Sequence, residues 1–325
     1  MSAVPPTAGS PGISSARIAA ITALTPAVWG TTYIVATELL PAGRPMLAAV
    51  VRALPVGLIF VLWKRQLPHG AWWWRAAVLG LLNIGAFFAL LFVAAFRLPG
   101  GVAATAGAIQ PLVATGIAAV VLGEVFTRRT AVAGAAGIAG VAMLVLGPDA
   151  ALDPIGIFAA IGGTISMATG VVLTKHWGRP VDLITFTGWQ LSAGGLILVP
   201  VALVAEGLPQ QITGTNAAGF AWLAIVGTGA AYANWFRGIQ QLPIAVVSFL
   251  GLLSPLIATL AGWAILNEAL TGVQLAGAFL VVAAVIIPQF RAPRRRHAEV
   301  PPTDRTDHHK RCGRHALATT GGMNP

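Results

Sequence analysis

The sequence predicts an all-α polytopic membrane protein: ten transmembrane helices in two inverted five-helix repeats, with both termini cytoplasmic. Three observations predict it. Hydrophobic residues make up 56% of the 325 and charged residues 9%, against the quarter or so that is charged in soluble domains. Apolar runs recur along the first 290 residues, and at roughly 20 residues per crossing that body holds about ten. Part of the chain also repeats itself.

The runs fall at 18–37, 45–63, 76–96, 101–122, 130–147, 154–174, 183–204, 217–236, 243–266 and 271–289, bounded by charge or by Pro and Gly. Arg17 before the first run has the outline of a signal peptide, but nine further runs follow and the first reads as a retained span. Between the third and fourth, the turn rests on Arg97, Leu98, Pro99 and Gly100.

A shift of 144 residues lays 98–127 on 242–271 without a gap and with eleven identities in thirty. Among them are Pro111, Leu112, Ala114, Thr115 and Glu124, matched by Pro255, Leu256, Ala258, Thr259 and Glu268. The body is therefore a duplicated unit of five helices, and an odd number forces the second copy to enter the membrane from the opposite side. The expected division is 1–17 as a cytoplasmic segment, 18–148 and 152–290 as the two repeats, and 291–325 as a basic, disordered cytoplasmic tail.

Orientation follows from basic residues in short loops. With the N-terminus inside, Arg17, Lys64, Arg65, Arg75, Arg128, Arg129, Lys175, Arg179 and Arg237 are cytoplasmic, and only Arg44 and Arg97 are outside. Trp72, Trp73 and Trp74 then fall at the inner interface as an aromatic belt. Of the net charge of +10, half lies on the tail. Arg291, Arg294, Arg295 and Arg296 directly follow the last span, which suits anionic lipid headgroups better than nucleic acid.

Enzymatic constellations are absent: there is no H-E-x-x-H, G-x-x-x-x-G-K or G-x-S-x-G, and no carboxylate pair within the spans. The body's two histidines, His69 and His176, lie in inner loops. No enzyme, cofactor or metal is expected. His308, His309, Cys312 and His315 lack the spacing of a structural zinc site, and the single cysteine excludes an internal disulfide.

What remains is a set of polar and aromatic residues inside spans. Arg52 is the one charge well within a run, and it must face the bundle or a wet cavity. Two readings are open: contact with an anionic or carbonyl group of a cargo, or a tie to backbone carbonyls freed by Pro26 or Pro55. Gln190 occupies the repeat partner of that span. Thr22, Thr25, Trp29, Thr32 and Tyr33 line one face of the first span at helical spacing. Asn83 and Phe87 do so in the third, and Thr228, Tyr232 and Trp235 in the eighth. Interhelical hydrogen bonding explains any one of these alone; together they predict the lining of one midplane cavity. Pro111 and Pro255, preceded by Gln110 and Ser254, fall inside the fourth and ninth spans and point to the same place. Glu124 and Glu268 read as helix-end residues, and Glu38 is the other acidic residue at a span border that suits proton carriage.

On these residues the chain resembles the drug/metabolite transporter superfamily in its EamA-type branch, across about 18–290. The carriers are Trp29–Gly30, Arg52, the twin Pro…Glu segments 111–124 and 255–268, and the ten-helix duplication. Trp29 to Tyr33, Glu38 to Pro41, Arg44–Pro45, Asn83 to Gly85 and Arg97 to Gly101 look like the PecM-type pigment and metabolite exporters of that branch. The resemblance implies an inner-membrane exporter of small organic molecules with its cavity between the halves. It names no cargo, and the basic tail departs from the family pattern. Lacking an ATP-binding motif, such a carrier would run on a proton gradient or on its cargo's own. A non-transporting scaffold or receptor, or an uptake permease of the same fold, is the competing reading.

Overall fold

The structure, a computed structural model, describes residues 15–41, 43–97, 104–105, 107–145, 153–209, 211–266 and 270–289. The tail, Glu268 and the 98–103 turn lie outside the described residues, as does the Tyr33 side chain.

Helices α1 (Ser15–Gly30) and α2 (Thr32–Leu39) form one run interrupted at Thr31. After α3 (Pro45–Lys64) come α4 (Trp72–Gly80), a π-helical stretch at Leu81–Gly85, and α5 (Ala86–Arg97). Helices α6 (Gln110–Val121) and α7 (Arg128–Val145) complete the first half. The second contains α8 (Pro154–Trp177), α9 (Leu183–Ala205), α10 (Gly214–Ala221), a second π-stretch at Trp222–Ala230, and α11 (Ala231–Gln241). Helices α12 (Ile244–Leu250), α13 (Leu253–Leu266) and α14 (Gly272–Ile286) follow. Among the described residues there is no strand. Among the described residues, six helices are long and apolar enough to cross a membrane: Pro45–Lys64, Trp72–Leu91, Arg128–Val145, Pro154–Trp177, Leu183–Ala205 and Ile244–Ile265.

Local chemistry sets the helix starts. Asp153 accepts the Gly156 N–H at 2.7 Å, and Asp182 accepts those of Ile184 and Thr185 at 3.0 and 3.3 Å, each covering amides that the first turn leaves open. Thr213 with Asn216 and Thr271 with Gln274 form capping boxes.

Packing joins the halves. Helix α3 runs along α9, α7 along α14, α8 against α5 and α6, and α1 against α11 and α13. Bilayer lipid is as apolar as the side chains, so close backbone approach has to hold these contacts. A β-carbon on Gly195 would lie 2.8 Å from the Leu54 Cα, and one on Gly57 2.8 Å from the Leu191 carbonyl carbon; neither site has room for one.

Polar contacts tie the halves at both ends. At one end Arg97 meets Asp153 at 3.6 Å, Arg44 donates to the Glu206 carbonyl at 3.0 Å, and the Glu206 carboxylate accepts Met46 and Leu47 N–H at 2.6 and 2.9 Å. At the other, Lys64 pairs with Asp182 at 3.4 Å and Lys175 with Glu124 at 2.8 Å.

Two expectations are corrected. Trp72 is not part of a belt: it is 9% exposed and packs on Phe186 and Trp189, while Trp73 and Trp74 stay above 50%, because position 72 faces α9. Pro111 and Pro255 sit at the starts of α6 and α13, just past turns at 108–109 and 251–252, and not inside continuous helices. At such positions the missing N–H costs no helical bond. Glu124 closes its own helix, its N–H donating to the Ala118 carbonyl at 3.3 Å, and it also reaches across: its second carboxylate oxygen accepts the Ile244 N–H at 2.9 Å, so it caps α12 in the opposite half.

Candidate cargo site at two π-helical stretches

A shift of 144 residues lays Leu81–Gly85 on 225–229, inside the second π-stretch. Both halves thus break their α-helical ladder at equivalent places. A π-turn moves bonds to i→i+5 and marks functional sites in many helices, because it loosens carbonyls that side chains can then engage.

Side chains from the opposite half reach each stretch. At the second, Trp29 Nε1 donates to the Gly227 carbonyl at 3.0 Å, Arg52 Nη2 donates to the same oxygen at 3.3 Å, and Arg52 Nε donates to Thr228 Oγ1 at 3.0 Å. At the first, Ser166 Oγ donates to the Leu82 carbonyl at 3.0 Å, and Asn83 Nδ2 donates to Gln190 Oε1 at 2.8 Å and Thr174 Oγ1 at 3.1 Å. Trp29 and Ser166 come from the first helical run of each half, and Arg52 and Gln190 from the second. The two sites are twins in architecture and differ in chemistry.

The Arg52 site is aromatic and charged. Trp29 lies 5.1 Å from Tyr232 and 5.2 Å from Trp235, centroid to centroid, and the guanidinium stacks 4.8 Å from the Phe88 ring centre. Thr25 donates to the Ala231 carbonyl at 3.1 Å and accepts from Asn234 at 3.0 Å, anchoring α1 along α11. Arg52 is 8% exposed, and its Nη1 has no hydrogen-bond partner among the described residues. Trp235 Nε1 is a buried donor without an acceptor among the described residues.

The Asn83 site is neutral. Asn83 Oδ1 and Gln190 Nε2 are buried and unpartnered, and Gly170 faces Asn83 closely enough that no β-carbon fits.

A third group sits at the broken helices. Gln110 Oε1 lies 3.6 Å from where a Gly251 β-carbon would stand, and the Ser254 carbonyl 2.7 Å from one on Gly30, so the interruptions of three runs face one another. Thr115 and Thr259 donate to the Pro111 and Pro255 carbonyls at 2.6 and 3.0 Å, which is the local work of the repeated Pro–Leu–x–Ala–Thr.

Of the residues singled out from sequence, Thr25, Trp29, Arg52, Tyr232 and Trp235 come together; Asn83 and Gln190 form their own pair. Phe87 packs beside Phe88 at 5.6 Å, and Thr32, Gln110 and Ser254 are half-buried. Glu38 is exposed. One open midplane cavity was expected, but Thr25, Asn83, Gln190, Tyr232 and Trp235 are packed against protein here. Sequence reading missed Ser166, Thr174 and Asn234. Gly227 and Gly229 flanking Thr228 were the available signal for an irregular helix.

Residues 17–146 and 154–288 match the EamA-like transporter family. The chain belongs to that family. It is 46% identical over 284 residues to Protein PecM of Dickeya dadantii (strain 3937), covering 87% of this chain and 95% of that one. It is 27% identical to the uncharacterized inner membrane transporter YedA of Escherichia coli (strain K12), covering 80% and 86%, and 27% identical to a probable amino-acid metabolite efflux pump of Salmonella typhimurium, covering 84% and 95%. A solved crystal structure shares the fold at TM-score 0.73 and 19% identity, covering 86% of this chain and 100% of the other. As an EamA-like protein the chain is a multi-pass membrane transporter for a small molecule and not an enzyme.

Proposed function

We propose that this EamA-like protein is a secondary transporter of the inner (plasma) membrane that exports a small organic metabolite or drug by alternating access. Its ten spans form two inverted repeats, 18–148 and 152–290, with both termini and the basic tail cytoplasmic and the tail against anionic headgroups. The observation that carries this reading is the pair of twin sites, in which each half sends side chains to the π-stretch of the other. A bundle whose halves grip each other through loosened helical turns has two equivalent places to yield, one per membrane face, which is the mechanical need of an inverted repeat.

Arg52, Trp29, Tyr232 and Trp235 form the cargo-contacting core, joined by Thr25 and, in the open state, by Thr32, Tyr33, Phe87, Gln110 and Ser254. Asn83 and Gln190 serve the opposite half. Nη1 of Arg52 and Nε1 of Trp235, unpartnered among the described residues, are donors for a carbonyl or anionic group, and the rings supply flat apolar walls. The packed state described is one in which this site is covered. Energy comes from the proton gradient or from the cargo gradient. The name of the Salmonella typhimurium relative supports export.

Purified protein in liposomes, screened with metabolite mixtures for counterflow, tests the proposal. Saturable exchange of one compound class supports it. No flux over a broad panel, from protein shown to be folded, favours the scaffold or receptor.

A further inference from the structure

Outside the twin sites, a pocket of about 310 Å³ lies where α8 turns into α9 and α11 ends, lined by Arg179, Leu183, Arg237, Gln240 and Gln241. Two guanidiniums and two carboxamides thus face one space whose lining holds no carboxylate. Arg237 is half-buried and has no ion pair or hydrogen bond with any described residue. Arg179 Nη1 is tethered at 3.3 Å to the Val181 carbonyl, and Gln240 Nε2 at 2.7 Å to that of Thr174, which fixes both side chains at the rim.

Asp182, the carboxylate next to Leu183 in the chain, is spent elsewhere. Asp182 accepts from the Ile184 and Thr185 amides, from the Thr185 hydroxyl at 2.6 Å, and pairs with Lys64. Partial burial works against its charge, but the Thr185 and Lys64 contacts outweigh that and hold its carboxyl below the ordinary aspartate range. The two arginines are therefore left without a protein counter-ion among the described residues.

We propose that this pocket is a phosphate-binding site, filled by the headgroup phosphate of an anionic lipid or by a free phosphate from the aqueous side. Guanidinium forks match phosphate oxygens in pairs, and the volume suits a headgroup. The pocket stands at the ends of long apolar helices, where a bilayer spanned by those helices would present its headgroups. The inference rests on reading α8 and α9 as membrane spans and is independent of the cargo site.

The test uses full-length protein in detergent, titrated separately with phosphatidylglycerol, phosphatidylcholine and inorganic phosphate, with binding followed by native mass spectrometry and thermal shift. Arg179→Gln/Arg237→Gln is compared with Arg128→Gln/Arg129→Gln, which removes equal charge from an exposed helix start. Each arginine should contribute roughly fivefold, so the pocket double variant should lose about twenty-five-fold and the control variant less than about twofold. Preference for phosphatidylglycerol over phosphatidylcholine, lost in the pocket variant, identifies the lipid as source; stabilisation by inorganic phosphate alone, lost in the same variant, identifies the free anion. Equal losses in both double variants, or wild-type binding in the pocket variant, overturns the site. Should that variant not fold, Arg237→Lys keeps the charge without the fork and should bind phosphate at intermediate strength; unchanged binding there overturns the proposal equally.

Discussion

Trp29 and Arg52, from different helices, donate to one backbone oxygen, the Gly227 carbonyl, at 3.0 and 3.3 Å. That shared acceptor resolves part of the ambiguity around a charge buried in a span. Arg52 is tied to a loosened carbonyl, but to that of a π-stretch and not to one freed by a proline, and its Nη1 has no hydrogen-bond partner among the described residues. Because the oxygen keeps Arg52 when the indole donor is lost, Trp29→Phe should cost less than about 1 kcal/mol of stability. Its transport should fall all the same, since the indole wall is gone. Thermal unfolding and initial rates on the same preparation check this; a large stability loss with normal transport would assign Trp29 to structure.

Glu124 clamps the halves together, accepting from Lys175 at 2.8 Å and from Ile244 N–H at 2.9 Å, while Lys175 also donates to the Leu242 carbonyl. The Lys175–Glu124 pair is partly exposed, with side chains 23% and 21% accessible, so it contributes about 0–1 kcal/mol. The buried amide depends on the carboxylate itself, at roughly 1.5–3 kcal/mol for a charged hydrogen bond. Glu124→Ala should therefore lower the unfolding temperature more than Lys175→Met. The reverse order, in detergent melts, would mean that the ion pair holds this end and not the cap.

At the α3–α9 contact the backbones leave no room for a methyl group. Gly57→Ala should destabilise by about 1–3 kcal/mol or more, whereas Gly70→Ala, in open space at φ +52°, should cost only its backbone strain. Membrane abundance and melting temperature of the two variants measure the difference; similar values would place the close approach elsewhere.

Topology is tested by reporter fusions. Those after Pro68, Gly178 and Pro293 should report cytoplasm, and those after Pro148 and Gly207 the outer side. A cytoplasmic signal at Pro148 contradicts both the orientation and the inverted repeat.

Much of this was legible in the chain. Helical, membrane-embedded character followed from composition, and the Pro–Leu–x–Ala–Thr duplication located the breaks, because Thr115 and Thr259 bond back to the proline carbonyls. Helical spacing put Thr25 with Trp29 and Tyr232 with Trp235 on shared helix faces, and those faces pack together. Spacing does not say which neighbour a face meets, so Asn83 and Gln190 were assigned to the same lining when they form a separate pair. Nor did an α-helical period reveal the π-stretches, each of which carries a single polar side chain, Asn83 or Thr228, among apolar and glycine residues. The capping target of Glu124 lies 120 positions away, a contact that only packing supplies.

Proposed transport through a site centred on Arg52 is put to the test by counterflow measured on matched vesicles of wild type, Arg52→Lys and Arg52→Gln. Lysine keeps the charge and loses the planar fork; glutamine loses both. With protein abundance quantified in the same vesicles, the account predicts saturable exchange in wild type, weaker exchange for lysine, and at least about a tenfold loss per molecule for glutamine, the scale of a charged hydrogen bond. Arg52→Gln protein that exchanges cargo at the wild-type rate per molecule would contradict it.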